Sequence, residues 1–401
     1  MNDDFLLIGI DGGATKVNGW SLDIDEKGKS FSLGEWHSGK SYNEIEGFIE
    51  NFQPVDINVQ LAQMKNGSFE IAESEAAQSK VYIEACSEVI KDIVEKSGTN
   101  RILVGIGLPG LKTEDKRGVA AMANGPRLMQ YSEILEKRLA AYGIDLVEPI
   151  SQLGSDAYYC GLGEEYALKG QFKMVQNSYY LGGGTGAADA LKINGSLLSL
   201  DDIKNWFVKT WEIKTSEGLS TESYVSARGI QSIYGNIVGV NVSSLTNQGV
   251  YPPQIREKAL QGVGAAIETF RRVSYYLALL LYERITTLNI GWQNLFTFVN
   301  PNRSEPEKEH DYLGTTLESI IVGQRLGDLL RSSEGDDVLW GPLFNHLTSF
   351  ITESVVLSDE VKDYYCPEGY FSRNIIKVSN LREAPAIGAG ADAYLTWRCV
   401  K

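Results

Sequence analysis

Hydrophobic residues come in short blocks along the chain, and the spacing inside each block predicts an element. Phe5–Asp11 is an apolar run ending at Asp-Gly-Gly, and Val17–Ile24 mixes apolar with polar positions. Together they predict a β-hairpin around Gly12-Gly13-Ala14-Thr15-Lys16. Residues 45–78 are polar and irregular, with few strand signals. Over Ser79–Lys96, Val81, Ile83, Val89, Ile90 and Ile93 recur at helical spacing. Ile102–Ile106 predicts a buried strand, stopped by Gly107-Leu108-Pro109-Gly110.

Tyr131–Tyr142 then predicts a helix, Leu146–Ile150 a strand and Ser155–Leu168 another helix. Ser178–Leu181 and Ala187–Ile193 predict a second hairpin, around Gly182-Gly183-Gly184-Thr185-Gly186. The longest periodic segment is Pro253–Leu288, where Leu260, Val263, Ile267, Phe270, Leu277, Leu281, Ile285 and Leu288 share one face. Ile320–Val322 and Ile375–Val378 are late strands, and Glu383–Trp397 is a closing helix rich in alanine and glycine.

Strands alternating with helices imply an α/β protein. A chain of 401 residues exceeds what one hydrophobic core usually serves. Two glycine hairpins suggest two similar halves, although no repeat of fixed period is visible. The expected division is 1–155 and 156–382, with the closing helix 383–401 packing back on the first half.

Composition narrows the function classes. Hydrophobic residues make up 43% and charged residues 22%, as in ordinary globular proteins. The net charge of −15, without a basic block, repels nucleic acid and anionic membranes, so neither is an expected partner. A phosphate ligand remains compatible, because backbone amides and one Mg²⁺ can hold a polyphosphate inside an acidic protein. The four cysteines (Cys86, Cys160, Cys366, Cys399) and three histidines (His37, His310, His346) are scattered, which argues against a disulfide framework and a zinc cluster. Met-Asn-Asp-Asp is the wrong charge for a secretory signal, and Tyr275–Tyr282 is too short an apolar stretch to span a membrane. A cytoplasmic protein is the expectation.

Three segments carry candidate chemistry. In the first glycine turn, residues without Cβ let backbone amides approach phosphate oxygens, while Asp11 ends a strand where a carboxylate can serve Mg²⁺. Thr15 and Lys16 add a hydroxyl and a positive charge. The same residues would also make an ordinary hairpin turn. The second turn, Gly182–Gly186, holds four glycines in five positions, more than one tight turn needs. Between them, Gln152-Leu153-Gly154-Ser155-Asp156 runs from a strand end into a helix. Asp156 there is either a general base for phosphoryl transfer or, with Ser155, a helix cap.

These segments resemble a known family in their order along the chain. Asp11–Lys16, Gly107-Leu108-Pro109-Gly110, Asp156 at its helix start, Leu181–Gly186 and Ala386-Ile387-Gly388-Ala389-Gly390-Ala391 occur as in sugar kinases of the actin/hexokinase/Hsp70 superfamily. Within it the chain is most similar to the ROK group of glucokinase-like enzymes. The resemblance implies a two-lobed ribonuclease H-like (actin/hexokinase-type) α/β fold, with a mixed five-stranded sheet in each lobe closing over a cleft. It implies ATP and Mg²⁺ as cofactors and a small-molecule sugar as the substrate; a homodimer is compatible with it. By the same resemblance Asp11 is the metal ligand and, with Gly12, Gly13, Thr15 and Lys16, forms the first phosphate site. Gly183, Gly184, Thr185 and Gly186 would cradle the ATP phosphates, and Gly323 and Gly388 would lie near the adenosine. Asp156 would be the base and Asn124 a ligand of sugar hydroxyls; a plain turn residue is the alternative for Asn124.

The chain departs from the ROK pattern in several places. Ser155-Asp156 stands where an Asn-Asp pair is usual, the zinc cluster of one histidine and three cysteines is absent, and Trp211-Glu212-Ile213 lacks the sugar-binding histidine. Glu222 matches a second sugar-binding glutamate, or is a solvated carboxylate at a helix start. Asp11-Gly12-Gly13 is also close to the BadF/BadG ATPases and the N-acetylglucosamine kinases, which stand as rivals. A further rival is a catalytically silent sugar- or nucleotide-binding protein related to the ROK repressors. Those carry an amino-terminal helix-turn-helix, whereas the first phosphate strand here starts at residue 5.

Overall fold

The computed structural model describes residues 5–25 and 30–400; the amino-terminal Met-Asn-Asp-Asp lies outside them. Two compact units divide the chain, Met1–Gly170 with Glu383–Lys401, and Gln171–Arg382.

In the first unit, β1 (Leu6–Gly12), β2 (Lys16–Asp25) and β3 (Ser30–Ser41) form an antiparallel meander. Helices α1 (Ile57–Asn66) and α2 (Glu73–Ser97) follow, then β4 (Arg101–Gly107) and the short β5 (Leu111–Lys112) and β6 (Val119–Ala121). Next come α3 (Tyr131–Ala141), β7 (Asp145–Leu146), β8 (Leu153–Gly154) and α4 (Asp156–Tyr166). The sheet order is β3-β2-β1-β4-β7, and β8 also pairs with β4, which gives a sixth strand where five were expected. β4 runs parallel to β1, β7 and β8.

The terminal helix Ala384–Val400 packs on α4, β1 and β4. Glycines make that approach close. A Cβ on Gly9 would sit 1.9 Å from the Ala386 carbonyl oxygen, and one on Gly105 would sit 1.8 Å from that of Ala389. α4 packs with the terminal helix as well, which is why the first unit runs on to Gly170 rather than stopping at the expected boundary near 155.

The second unit repeats the plan. β9 (Ser178–Gly183), β10 (Ala187–Ile193) and β11 (Ser196–Leu198) are antiparallel. After β12 (Ile213–Lys214) come α5 (Glu222–Val225), α6 (Ala227–Val238), α7 (Val242–Asn247), α8 (Pro252–Leu260) and α9 (Gly264–Ile290). The unit ends with β13 (Thr297–Phe298), β14 (Ser319–Gly323), α10 (Gln324–Ser332), α11 (Trp340–Thr352), α12 (Asp359–Tyr365) and β15 (Ile376–Val378). The order β11-β10-β9-β14-β15 places parallel strands beside a hairpin, as β3-β2-β1-β4 does in the first unit.

Three expectations change. The polar segment 45–78 contains α1, whose buried position is the polar Gln60. Of Leu146–Ile150 only Leu146 lies in a strand, the two-residue β7. The long helix is two helices, because Gly262 adopts φ +84° between α8 and α9. Leu260, Val263 and Ile267 flank that break and are exposed, whereas Phe270, Leu277, Leu281, Ile285 and Leu288 fill the core. Among the described residues no helix is long and apolar enough to cross a membrane.

Candidate active site

The first glycine turn is held from the protein side by two tyrosines. The Gly13 N–H donates to the Lys16 carbonyl at 2.9 Å and closes the hairpin. The Tyr42 hydroxyl donates to the Gly13 carbonyl at 3.0 Å, the Tyr82 hydroxyl to that of Ala14 at 2.9 Å, and the Tyr42 N–H to that of Thr15 at 3.0 Å. The two rings stack, centroids 3.7 Å apart. Every carbonyl of the turn therefore faces a donor, while the amides of Ala14 and Thr15 make no hydrogen bond among the described residues. Such amides present partial positive charge, the arrangement that receives an anion. Thr15 and Lys16 are exposed beside them. Gly12 is required by packing: a Cβ there would lie 2.4 Å from Leu108 Cδ2.

Sheet register brings the two candidate aspartates to one edge. Asp11 pairs with Gly107 of β4, and Gly107 pairs with Gly154 of β8. Two strand spacings, roughly 9–10 Å, thus separate the backbones of Asp11 and Gly154, and Asp156 follows two residues on. The carboxyl of Asp11 is pushed up to about 7, by burial first and by the Asp156 carboxylate second, against a lowering from Lys16. The two carboxylates therefore feel one another.

The cap of α4 is Ser155, whose hydroxyl accepts from the Tyr158 N–H at 3.1 Å. Asp156 is left at the first helical position, accepting from Ala157 N–H at 3.0 Å. Behind the corner, the Asp392 carboxylate of the terminal helix accepts from Gln152 and from the Tyr159 hydroxyl, both at 2.8 Å. Gly154 makes room for the Tyr159 ring, which a Cβ would meet at 2.0 Å.

Asn124 lies exposed on a loop anchored at both ends. On one side, buried Gln60 of α1 accepts from the Met122 N–H at 2.8 Å and donates to its carbonyl at 3.1 Å. On the other, the buried Arg127 pairs with Glu75 at 2.7 Å, which also accepts the Arg127 N–H at 2.9 Å. The same Tyr82 that holds the first turn touches this loop, since a Cβ on Gly125 would lie 3.0 Å from its hydroxyl. Asp11, the 13–15 turn, Asn124 and Asp156 are thus all carried by the first unit.

Gly183, Gly184, Thr185, Gly186, Glu222 and Gly323 belong to the second unit. Gly184 N–H donates to the Gly186 carbonyl, and the Gly184 carbonyl accepts from Ala227 N–H at the start of α6, both at 2.9 Å. Glu222 accepts the Ala187 N–H at 2.9 Å, and a Cβ on Gly186 would lie 2.9 Å from its oxygen. Glu222, half-buried at the start of α5, is accordingly a brace of this loop. Gly183 cannot carry a side chain, because a Cβ would meet the Val225 carbonyl at 2.0 Å. Gly323 pairs with Gly182 across parallel strands. Thr185 and Gly186 are exposed, and their amides make no hydrogen bond among the described residues.

Gly388 belongs to the first unit. It is buried in the terminal helix of the first unit, where a Cβ would strike the Tyr159 carbonyl of α4 at 2.0 Å. A run of small residues serves a nucleotide turn or a close helix crossing equally well, and here it serves the crossing. Tyr42, Tyr82, Gln60, Glu75, Arg127 and Asp392 were not anticipated, since no spacing links a tyrosine or glutamine to a turn it meets only in the fold. Among the described residues no three His, Cys, Asp or Glu side chains group as a metal site.

No protein-family profile and no curated protein matches the chain. Solved structures do. A ROK family glucokinase from Streptomyces griseus, in complex with glucose and AMPPNP, aligns with TM-score 0.57 at 16% identity, over 97% of this chain and 99% of its own. A ROK hexokinase from Thermus thermophilus aligns at 0.55 and 15%, over 98% and 100%. A ROK family transcriptional regulator, homologue of the E. coli MLC protein, aligns at 0.52 and 14%, over 98% and 79%. The likeness is one of fold, and by it the chain has the two-unit, actin/hexokinase-type α/β fold of the ROK proteins.

Proposed function

We propose that the chain is a cytoplasmic ATP- and Mg²⁺-dependent kinase that phosphorylates a hydroxyl of a sugar or similar polyol. The observation that supports this most is the Asp11–Asp156 pair beside a turn with two uncommitted amides. Asp156 takes the proton of the acceptor hydroxyl as its oxygen bonds to the γ-phosphorus and the bond to the β–γ bridging oxygen breaks, releasing ADP. Asn124 orients the acceptor on a loop made rigid by Gln60 and Arg127. The nucleotide phosphates are assigned to the Gly183–Gly186 loop, with Gly323 alongside and Glu222 as the loop's brace.

The donors fit a divalent cation. Asp11 is half-buried near a second carboxylate; burial first and the Asp156 charge second raise its carboxyl to about 7, and a cation would offset both by favouring the charged form. Asp11 would hold Mg²⁺, which when bound neutralises phosphate charge.

A second reading, a catalytically silent sugar-binding protein, is favoured by one observation: a protein described as a transcriptional regulator shares the fold. One experiment separates the two. The chain is screened against a sugar panel by thermal shift, with and without Mg-ATP, and the stabilising sugars are assayed for ADP release. Sugar-dependent ADP release is the expected result. Sugar binding without turnover would replace the kinase by the silent protein.

A further inference from the structure

Asp156 is aimed by its backbone. Among the described residues its carboxylate makes one hydrogen bond, to the Ala157 N–H beside it. Its direction therefore follows the strand-to-helix corner on which it stands. One carboxylate of the terminal helix grips that corner from both sides. Asp392 Oδ2 accepts from Gln152 Nε2, ahead of Asp156 in the chain, and from the Tyr159 hydroxyl, beyond it, both at 2.8 Å.

The Tyr159 ring is buried against the row of strand ends that leads from Asp11 to the corner. A Cβ on Gly107 would meet the ring at 3.0 Å and one on Gly154 at 2.0 Å. Gly107 is the residue that pairs with Asp11 on one side and with Gly154 on the other. The ring thus fills space that two glycines leave open. A further tie comes from Lys116, whose backbone has φ +59° and whose carbonyl accepts the Leu153 N–H at 2.8 Å.

We propose that Asp392 is a positioning residue of the reaction: by clamping Gln152 and Tyr159 it fixes the corner from which Asp156 takes the acceptor proton. The inference rests on the kinase reading, in which Asp156 is the base. Packing alone does not call for a carboxylate here. The crossing of the terminal helix with α4 is already made by small residues, since a Cβ on Gly388 would meet the Tyr159 carbonyl at 2.0 Å and one on Gly163 that of Ala384 at 2.2 Å. A half-buried carboxylate in such a crossing costs solvation, which its two donors offset. What the two bonds add is a fixed geometry for the segment between them. Proton transfer needs the base within hydrogen-bond reach, so a small displacement costs rate more than binding.

The test measures ADP release with Mg-ATP and the panel sugar of highest turnover, together with thermal unfolding. Asp392→Ala, Asp392→Asn and Tyr159→Phe are each made alone and combined with Asp156→Asn. Asp392→Ala is expected to lower kcat by about tenfold to a hundredfold while KM for sugar and ATP stays within about twofold, the pattern of a misplaced base. Asp392→Asn, whose amide oxygen still accepts the Tyr159 hydroxyl, recovers most of the loss. In the Asp156→Asn background Asp392→Ala removes little further, because the group it positions is gone. A merely structural role would cut turnover by the same factor in both backgrounds. Trp397→Leu is the control: it loosens the same helix nearer its end, where the ring packs edge-on against Phe5, and should lower the melting temperature with kcat unchanged. Tyr159→Phe keeps the ring in its glycine seat and drops only the hydroxyl, so it carries the test should Asp392→Ala fail to fold. Its kcat falls by about threefold to tenfold, the loss of one arm of the clamp, and again only when Asp156 is present. Wild-type kcat in the folded variants, or losses that persist undiminished in the Asp156→Asn background, overturn this inference and leave the kinase reading standing. Absence of wild-type turnover with every sugar of the panel overturns both.

Discussion

The two glycine turns read alike along the chain but are built differently. The first, at 13–16, is tied by its carbonyls to the hydroxyls of Tyr42 and Tyr82 and stands next to two carboxylates. The second, at 183–186, is tied through the Gly184 carbonyl to α6 and through the Ala187 amide to Glu222, with Gln324 laid across its glycines. In the proposed reaction the first turn adjoins the groups that move a proton and hold a cation. The second has packing constraints on both sides. The difference teaches that glycine content marks where an anion can approach, and the neighbours decide what is done with it.

The largest effect should break the second turn. Gly184→Val places a branched side chain where the Gln324 carboxamide lies, 2.7 Å from the ideal Cβ. Nucleotide binding measured by calorimetry is expected to vanish while the circular dichroism stays that of a folded protein. A variant binding ATP as wild type does would remove the phosphate role from this loop. Gly183→Ala, one residue earlier, is expected instead to lower stability, because the Val225 carbonyl is backbone and cannot yield.

On the side of the first turn, Asp156→Asn should lower kcat by at least about a hundredfold and leave sugar and ATP affinities nearly unchanged. Ser155 is the cap of α4, so the loss cannot be ascribed to a lost cap. Unchanged turnover in Asp156→Asn would end its role as the base.

Asp11 gives the first turn a pH signature. Its carboxyl is raised from 3.8 to about 7 in the folded protein, so the native state binds a proton that the unfolded state has lost. Stability without ligands should then fall as pH rises from about 4 to about 7, by up to about 1.4 kcal/mol per pH unit from this group, and level off above. Asp11→Asn is expected to remove that slope in urea titrations and to raise stability at pH 8. A slope identical in the two proteins would show that the Asp11 carboxyl is not raised in the folded protein.

The smallest effect sharpens the comparison. Ser155→Ala should cost about 1 kcal/mol of stability, the usual worth of an N-cap, with kcat within a few fold of wild type. A collapse of kcat at intact stability would mean that Ser155 acts in the chemistry and not only in the cap.

Much of the fold could be read without coordinates. The strands at 5–11, 102–106, 178–181 and 320–322 are apolar runs cut by glycine or polar residues, and burial on both faces leaves such runs no other place. Asp11 and Asp156 could be singled out as candidates because each lies at or just after the end of a strand, beside a turn. α1 could not, since its inward residue Gln60 looks like a surface residue until its partner, the Met122 backbone, is brought to it. The break at Gly262 hid inside a pattern of apolar steps that continued across it.

The sequence by itself determined the alternation of strands and helices, the two glycine turns and the strand-end aspartates, because periodicity and Cβ-free residues act locally. Only the tertiary structure decided that Ser155 and not Asp156 caps α4, that Glu222 braces a loop, and that Gly388 serves a helix crossing. Each of these depends on a partner distant in sequence, and a hydrogen bond or a close contact is a property of two places that only folding brings together.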